Sequence, residues 1–239
     1  MSSEIDRRRL VESSKRVAFE LLIIIVGVLA ALAVDSWKKS KSLRISEAQH
    51  LSQILVDAKV NADQLASGIE EESKRTRAFA QIVRVATGRK ESSRDSLRSW
   101  LEDDPFSYSD PRLRLGSIEA LISAGDLRLI SDQQLRSEIV GYLGRVKMDL
   151  EELNRWLDIY VQVFGALDLQ DAEIRLRSPG LQQWERDIKV IEKASEDSEV
   201  LSLLLNFSNN AFNRTSYMES MLEATIQLSQ SIEDNSNSR

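Results

Sequence analysis

Residues 21–34 read LLIIIVGVLAALAV, fourteen positions without a polar side chain, and no other feature constrains the fold of this chain as tightly. Fourteen residues of helix are too few to span a bilayer. Extension from Val17 to Trp37 gives twenty-one residues. At about 1.5 Å per residue that is about 31 Å, which matches a hydrocarbon core of about 30 Å. The extension takes in Glu20 and Asp35, both near the ends, where a charged group reaches headgroups or water. Trp37 falls at the level of interfacial aromatics, with Lys38, Lys39 and Lys41 just beyond it. The pattern predicts a basic tail over residues 1–16 and a transmembrane helix over 17–37.

A cleavable signal peptide is the rival reading. Arg7, Arg8, Arg9, Lys15 and Arg16 form a basic leader, and Ala31-Leu32-Ala33 resembles a small-residue cleavage site. Lys38, Lys39 and Lys41 follow at once, however, and no Pro or Gly relaxes the helix after Val28. An uncleaved signal anchor fits better. A buried core helix would need apolar partners on all faces, which the amphipathic remainder does not offer. Five basic residues precede the span and four follow it (Lys38, Lys39, Lys41, Arg44). The positive-inside rule therefore favours a cytoplasmic N-terminus in a bacterial inner membrane, with the bulk of the chain periplasmic. Within the span Glu20, Ile24, Gly27, Ala31 and Val34 share one stripe. Gly27 and Ala31 form a small-xxx-small pair, which predicts helix association with Glu20 on the same face.

Beyond Ser42 the pattern stays helical and predicts an all-α, up-and-down bundle over residues 43–234, with a polar tail over 235–239. Leu51, Leu55, Ala58, Ala62, Leu65 and Ile69 alternate spacings of three and four, and Thr76, Phe79, Val83 and Ala86 continue them to a stop at Thr87-Gly88. With no Pro or Gly between Val28 and Ala66, the membrane helix is expected to run directly into this one. An irregular stretch follows, with Asp103-Asp104-Pro105-Phe106-Ser107-Tyr108-Ser109-Asp110-Pro111 at its centre and a short helix near Ser93 to Leu101. A second short helix, Leu115 to Ala124, is stopped by Gly125. Ser131-Asp132-Gln133-Gln134 reads as a capping box opening a long helix through Leu135, Ile139, Leu143, Val146, Leu150, Leu153, Leu157, Tyr160, Phe164 and Leu167. Ser178-Pro179-Gly180 marks a turn, then come a helix near Trp184 to Ala194 and a cap at Ser195 to Asp197. The last helix carries Val200, Leu203, Phe207, Ala211, Arg214, Met218, Met221, Thr225, Leu228 and Ile232 at heptad-like spacing.

Composition excludes much chemistry. The chain has no Cys and one His, His50, so thiolate nucleophiles, thiolate metal sites and histidine triads lack their parts. A net charge of -6 argues against nucleic-acid binding. Glu70-Glu71-Glu72 and Glu151-Glu152 read as solvated faces, because neighbouring helical positions point apart. Neither a cofactor nor an enzymatic activity is expected. Asn206, Asn210, Asn213 and Tyr217, at i, i+4, i+7 and i+11 with Arg214 beside them, form a candidate partner or ligand face. A solvated or register-setting stripe is the plainer reading. Arg112, Arg114, Arg128 and Arg136 near the Ser131 cap form a weaker candidate for anion binding, against ordinary surface charge.

Two stretches carry a resemblance. The segment from Glu20 through the apolar run to Asp35-Ser36-Trp37 and its basic neighbours, and Leu121 to Arg136 (LISAGDLRLISDQQLR), resemble an uncharacterised family of bacterial single-pass membrane proteins. The likeness touches about the first sixty residues and residues 115–143. It implies a membrane anchor followed by a helical domain, and no activity or ligand. The expectation is a non-enzymatic scaffold or regulator that contacts the bilayer and associates with itself or with another envelope protein. A ligand-binding sensor acting through a partner, and an oligomer using Glu20 in a proton or ion path, are the alternatives.

Overall fold

The computed structural model describes residues 2–177 and 182–237, with side chains from Val26 onward except Phe164 and residues 169–181. Six α-helices and one 3₁₀ turn are present among the described residues, and no strand. The helices are α1 (Ser2–Ala86), α2 (Arg94–Leu101), α3 (Gly116–Ser123), α4 (Gln133–Arg177), α5 (Gln183–Ala194) and α6 (Ser198–Asn237). The chain divides into two compact units, Met1–His50 and Leu51–Arg239, and α1 is continuous through the boundary.

The first unit contains the apolar run. Val26, Val28, Leu29, Leu32 and Val34 are each 52–60% exposed, and Trp37 is 63% exposed. At about 100° per residue these five aliphatic positions are spread around the whole circumference, so residues 26–34 present no polar face. Among the described residues no helix is long and apolar enough to cross a membrane. The run read from the sequence starts at Leu21, and Glu20 and the other side chains before Val26 lie outside the described residues.

In the second unit local chemistry sets the helix ends. Gly88 at φ +68° closes α1: its N–H donates to Val85 O and the Arg89 N–H to Arg84 O, the paired bonds of a Schellman stop. Gly125 at φ +73° does the same work after α3. Ser93 Oγ accepts from the Ser96 N–H at the start of α2. Asp197 Oδ1 accepts from the Glu199 N–H at 2.9 Å at the start of α6. The cap of α4 is Asp132, whose Oδ1 accepts from the N–H groups of Gln134 and Leu135 at 2.8 and 3.2 Å. That is one position later than a box opened by Ser131. The Ser178-Pro179-Gly180 turn lies outside the described residues.

Two apolar cores are stacked along the long helices. One joins Leu51, Ile54 and Leu65 of α1, Ile118 and Leu121 of α3, Leu135 to Leu153 of α4, and Met218 to Ile232 of α6. The other joins Phe79, Ile82 and Ala86 of α1, Leu97 of α2, Tyr160 to Leu167 of α4, Ile188 to Ala194 of α5, and Val200 to Phe207 of α6. Within this unit the first part of α1, from Leu51 to Leu65, thus meets early α4 and late α6, and its end meets later α4 and early α6, so α1 and α4 run in the same direction and α6 runs against both. This corrects the simple up-and-down connection. The return from the end of α1 to the start of α4 is made by non-helical chain, residues 102–115, with α2 before it and α3 after it. Pro105 and Pro111 are the reason, because each lacks an N–H and disfavours helical backbone in the residue before it.

Candidate functional site

Between the two cores lies a layer of buried polar side chains. Going along α1 from Leu65 to Phe79, the buried polar residue is Glu72, 1% exposed; going along α6 from Phe207 to Met218, the buried polar residues are Asn210 and Arg214, each 2% exposed. The return segment crosses this layer at Ser109, which is also buried. Three elements far apart in sequence therefore meet at charged groups.

The bonds are mutual. The Ser109 N–H donates to Glu72 Oε1 at 2.6 Å, and Ser109 Oγ donates to Glu71 Oε2 at 2.9 Å. Arg75 Nη1 donates to Ser109 Oγ at 2.9 Å and lies 3.5 Å from Glu72 Oε1. Arg214 donates from Nη1 to Leu153 O at 3.2 Å and from Nη2 to Ser109 O. Its Nε faces Glu72 Oε1 at 3.7 Å, an ion pair without a hydrogen bond. The guanidinium lies 5.3 Å from the centre of the Tyr108 ring, close enough for a cation–π attraction. Asn210 Nδ2 donates to Trp156 O at 2.6 Å. Lower down, Asn61 brackets Arg114, accepting from its N–H at 2.6 Å and donating to its carbonyl at 2.9 Å. Above the layer, Tyr160 donates its hydroxyl to Phe106 O, and Phe106 packs edge-on against Phe79 and Phe207 at 5.3 and 5.8 Å.

Burial dominates the electrostatics. It pushes the Glu72 carboxyl above its usual range, against the opposing pull of the Ser109 N–H, Arg214 and Arg75. Burial likewise lowers Arg214, opposed chiefly by Glu72. The Tyr160 phenol is raised, first by burial and then by the charge of Asp104. Two carboxylates, Glu71 and Glu72, face two guanidiniums, Arg75 and Arg214, so the layer is charge-balanced. Glu72 and Arg214 are ion-paired, Glu72 also with Arg75, and their hydrogen bonds go to backbone, Glu72 accepting from the Ser109 N–H and Arg214 donating to Leu153 O and Ser109 O. What this arrangement does chemically is to clamp residues 106–115 against α1, α4 and α6.

The sequence-predicted residues fall on both sides of this boundary. Asn210 and Arg214 are buried in the polar layer; Asn213 and Tyr217 are half-buried, with Tyr217 packed against the first core; Asn206 is exposed. They do not form one solvent-facing stripe. Asn209, Phe212 and Ser216 face outward on this part of α6, Phe212 being 67% exposed. Near the start of α4, Asp132 fills the helix start with a carboxylate, Arg136 Nη1 donates to Ile130 O at 2.6 Å, and the backbone of Arg114 is held by Asn61. Gly27, Ala31 and Trp37 are exposed on α1, and a Cβ built on Gly27 meets nothing within 4 Å. Glu72, Arg75 and Ser109 were hidden by the run of glutamates. The signal was spacing: Leu65, Glu72 and Phe79, and Phe207, Arg214 and Met221, are each seven apart, which places opposite charges at core positions of two helices.

Two open depressions flank the return segment. One, about 430 Å³, is lined by Gln64, Ser67, Gly68, Glu71, Tyr108 and Asp110, among others. The other, about 250 Å³, is lined by Leu101, Asp104, Pro105, Phe106, Asp187 and Val190, among others. Among the described residues no group of three acidic or histidine side chains is arranged to hold a metal ion. Comparison with protein-family models, with curated proteins and with solved structures finds no match.

Proposed function

We propose that this chain is a membrane-anchored, non-catalytic helical protein, a scaffold or regulator whose bundle is presented at the membrane to a second copy or to another envelope protein. The observation that carries the reading is the exposure of residues 26–34 on every side of α1. A helix that ends its burial in water has a polar face; this stretch has none. Full burial of a Val or Leu side chain is worth about 1.5–3 kcal/mol. Five such side chains little more than half exposed therefore stand to gain on the order of 5 kcal/mol from hydrocarbon. The non-catalytic part rests on the polar layer, whose charged groups are engaged with one another and with backbone, and on a composition with one His and no Cys.

The test is extraction of membranes from cells expressing the full chain. A bilayer-embedded helix leaves the protein in the pellet after washing with alkaline carbonate and releases it only in detergent. Release by carbonate alone refutes the anchor. Retention, followed by recovery of a homo-oligomer or of a stoichiometric partner from mild detergent, supports the scaffold.

A further inference from the structure

We infer that the segment following the apolar run is a collar for anionic phospholipid headgroups, an inference that rests on the membrane reading above and names the lipid class. Immediately after Val34 come Asp35, Ser36 and Trp37, then Lys38, Lys39, Lys41 and Arg44 within seven residues. All of them are exposed. Asp35 is the only acidic residue between Val26 and Ser46.

Geometry selects the occupant. At about 100° per residue, Lys38, Lys39, Lys41 and Arg44 point to about 0°, 100°, 300° and 240° around the axis. The cations encircle the helix. A protein partner or a soluble anion meets a helix on one side, whereas headgroups meet a bilayer-embedded helix all round, as the aliphatic ring of residues 26–34 is exposed all round. From Lys38 to Arg44 the helix rises about 9 Å, close to the depth of one headgroup layer, about 5–8 Å. Lys41 Nζ lies 5.5 Å from the centre of the Trp37 ring, so a phosphate beside that cation also lies beside the interfacial indole. Basic side chains at an anionic surface each favour association about fivefold. Four of them give a strong, salt-sensitive preference for negative lipid.

The experiment reconstitutes the full chain into bilayers of phosphatidylcholine mixed with either brominated phosphatidylcholine or brominated phosphatidylglycerol. Quenching of tryptophan by each brominated lipid gives the relative occupancy of the shell around the helix. The inference expects phosphatidylglycerol to be favoured at least threefold at low salt. That preference should fall to near unity in 0.5 M salt and in the variant Lys38→Gln, Lys39→Gln, Lys41→Gln, Arg44→Gln. Equal quenching by the two lipids, or a preference untouched by salt and by the substitutions, overturns the collar and leaves the anchor standing. Absence of quenching by either lipid overturns the anchor and the collar with it.

Discussion

Arg214→Met is the perturbation that bears hardest on the polar layer. It removes the donors to Leu153 O and Ser109 O and the charge opposite Glu72, which is 1% exposed. Methionine fills similar volume, so the loss is electrostatic rather than a cavity. Breaking a buried pair by removing one partner costs about 3–5 kcal/mol. For a domain of this size each kcal/mol moves Tm by about 2–4 °C, so a fall of about 6–20 °C is expected. Glu72 retains the Ser109 N–H and Arg75 at 3.5 Å in that variant, which places the result toward the lower end. The companion Glu72→Leu continues the Leu65 and Phe79 stripe but strands Arg214. The double variant makes the layer apolar on both helices, and replacing a whole buried pair in this way is often neutral or stabilising. It should lose less than the sum of the singles by at least about 1 kcal/mol. Thermal and urea unfolding of the full chain in detergent, followed by circular dichroism at 222 nm, measures all four proteins. Additive losses, or an Arg214→Met loss below about 1 kcal/mol, would refute the clamp.

The raised Glu72 carboxyl gives a pH prediction. Because the folded state holds this proton more tightly than the unfolded chain, the stability contributed by Glu72 is fully present below about pH 4.5 and lost as pH rises through its folded value. The deficit of Glu72→Gln against the parent should therefore be larger near pH 4 than near pH 7; the opposite trend would mean the carboxyl is lowered by its arginines. Gly27→Leu should leave unfolding unchanged, since a Cβ there meets nothing within 4 Å. It should also shift the detergent-extracted mass toward monomer; unaltered mass would remove Gly27 from any interface. Gly88→Ala forces a side chain onto a residue at φ +68° and should cost about 1–2 kcal/mol. Differential scanning calorimetry would show this as a Tm lower by about 2–8 °C; no change would mean the helix stop relaxes freely.

What was legible in the sequence was local or periodic. The stripe from Leu135 to Leu167 is buried at Leu135, Ile139, Val146, Leu153, Tyr160 and Leu167 and half-buried at Leu143, Leu150 and Leu157, because helical spacing alone decides which residues share a face. Gly125, Ser93 and Asp197 act where they stand because caps are made with the next few residues. The direction of α4 relative to α1 was not legible. It depends on residues 102–115 lying as non-helical chain against the bundle, held by bonds such as Arg214 to Ser109 that cross 105 positions. Glu72 was obscured for a related reason: beside Glu70 and Glu71 its charge suggests solvent, and only its place midway between Leu65 and Phe79 shows the inward face. Asn210 stands in the sequence on a candidate partner face whose plainer reading is a solvated or register-setting stripe, and Arg214 on the heptad stripe of the last helix; the structure buries both, and the polar layer faces in.

The central claim is that the exposed aliphatic ring of α1 sits in hydrocarbon. The chain has no cysteine, so a single thiol placed by Leu29→Cys or by Ser42→Cys is the only one present. Native membranes sonicated with a membrane-impermeant maleimide bring the reagent to both faces. The account predicts rapid labelling at position 42 and none at position 29 until detergent denaturation exposes it; labelling at equal rates before denaturation would contradict it.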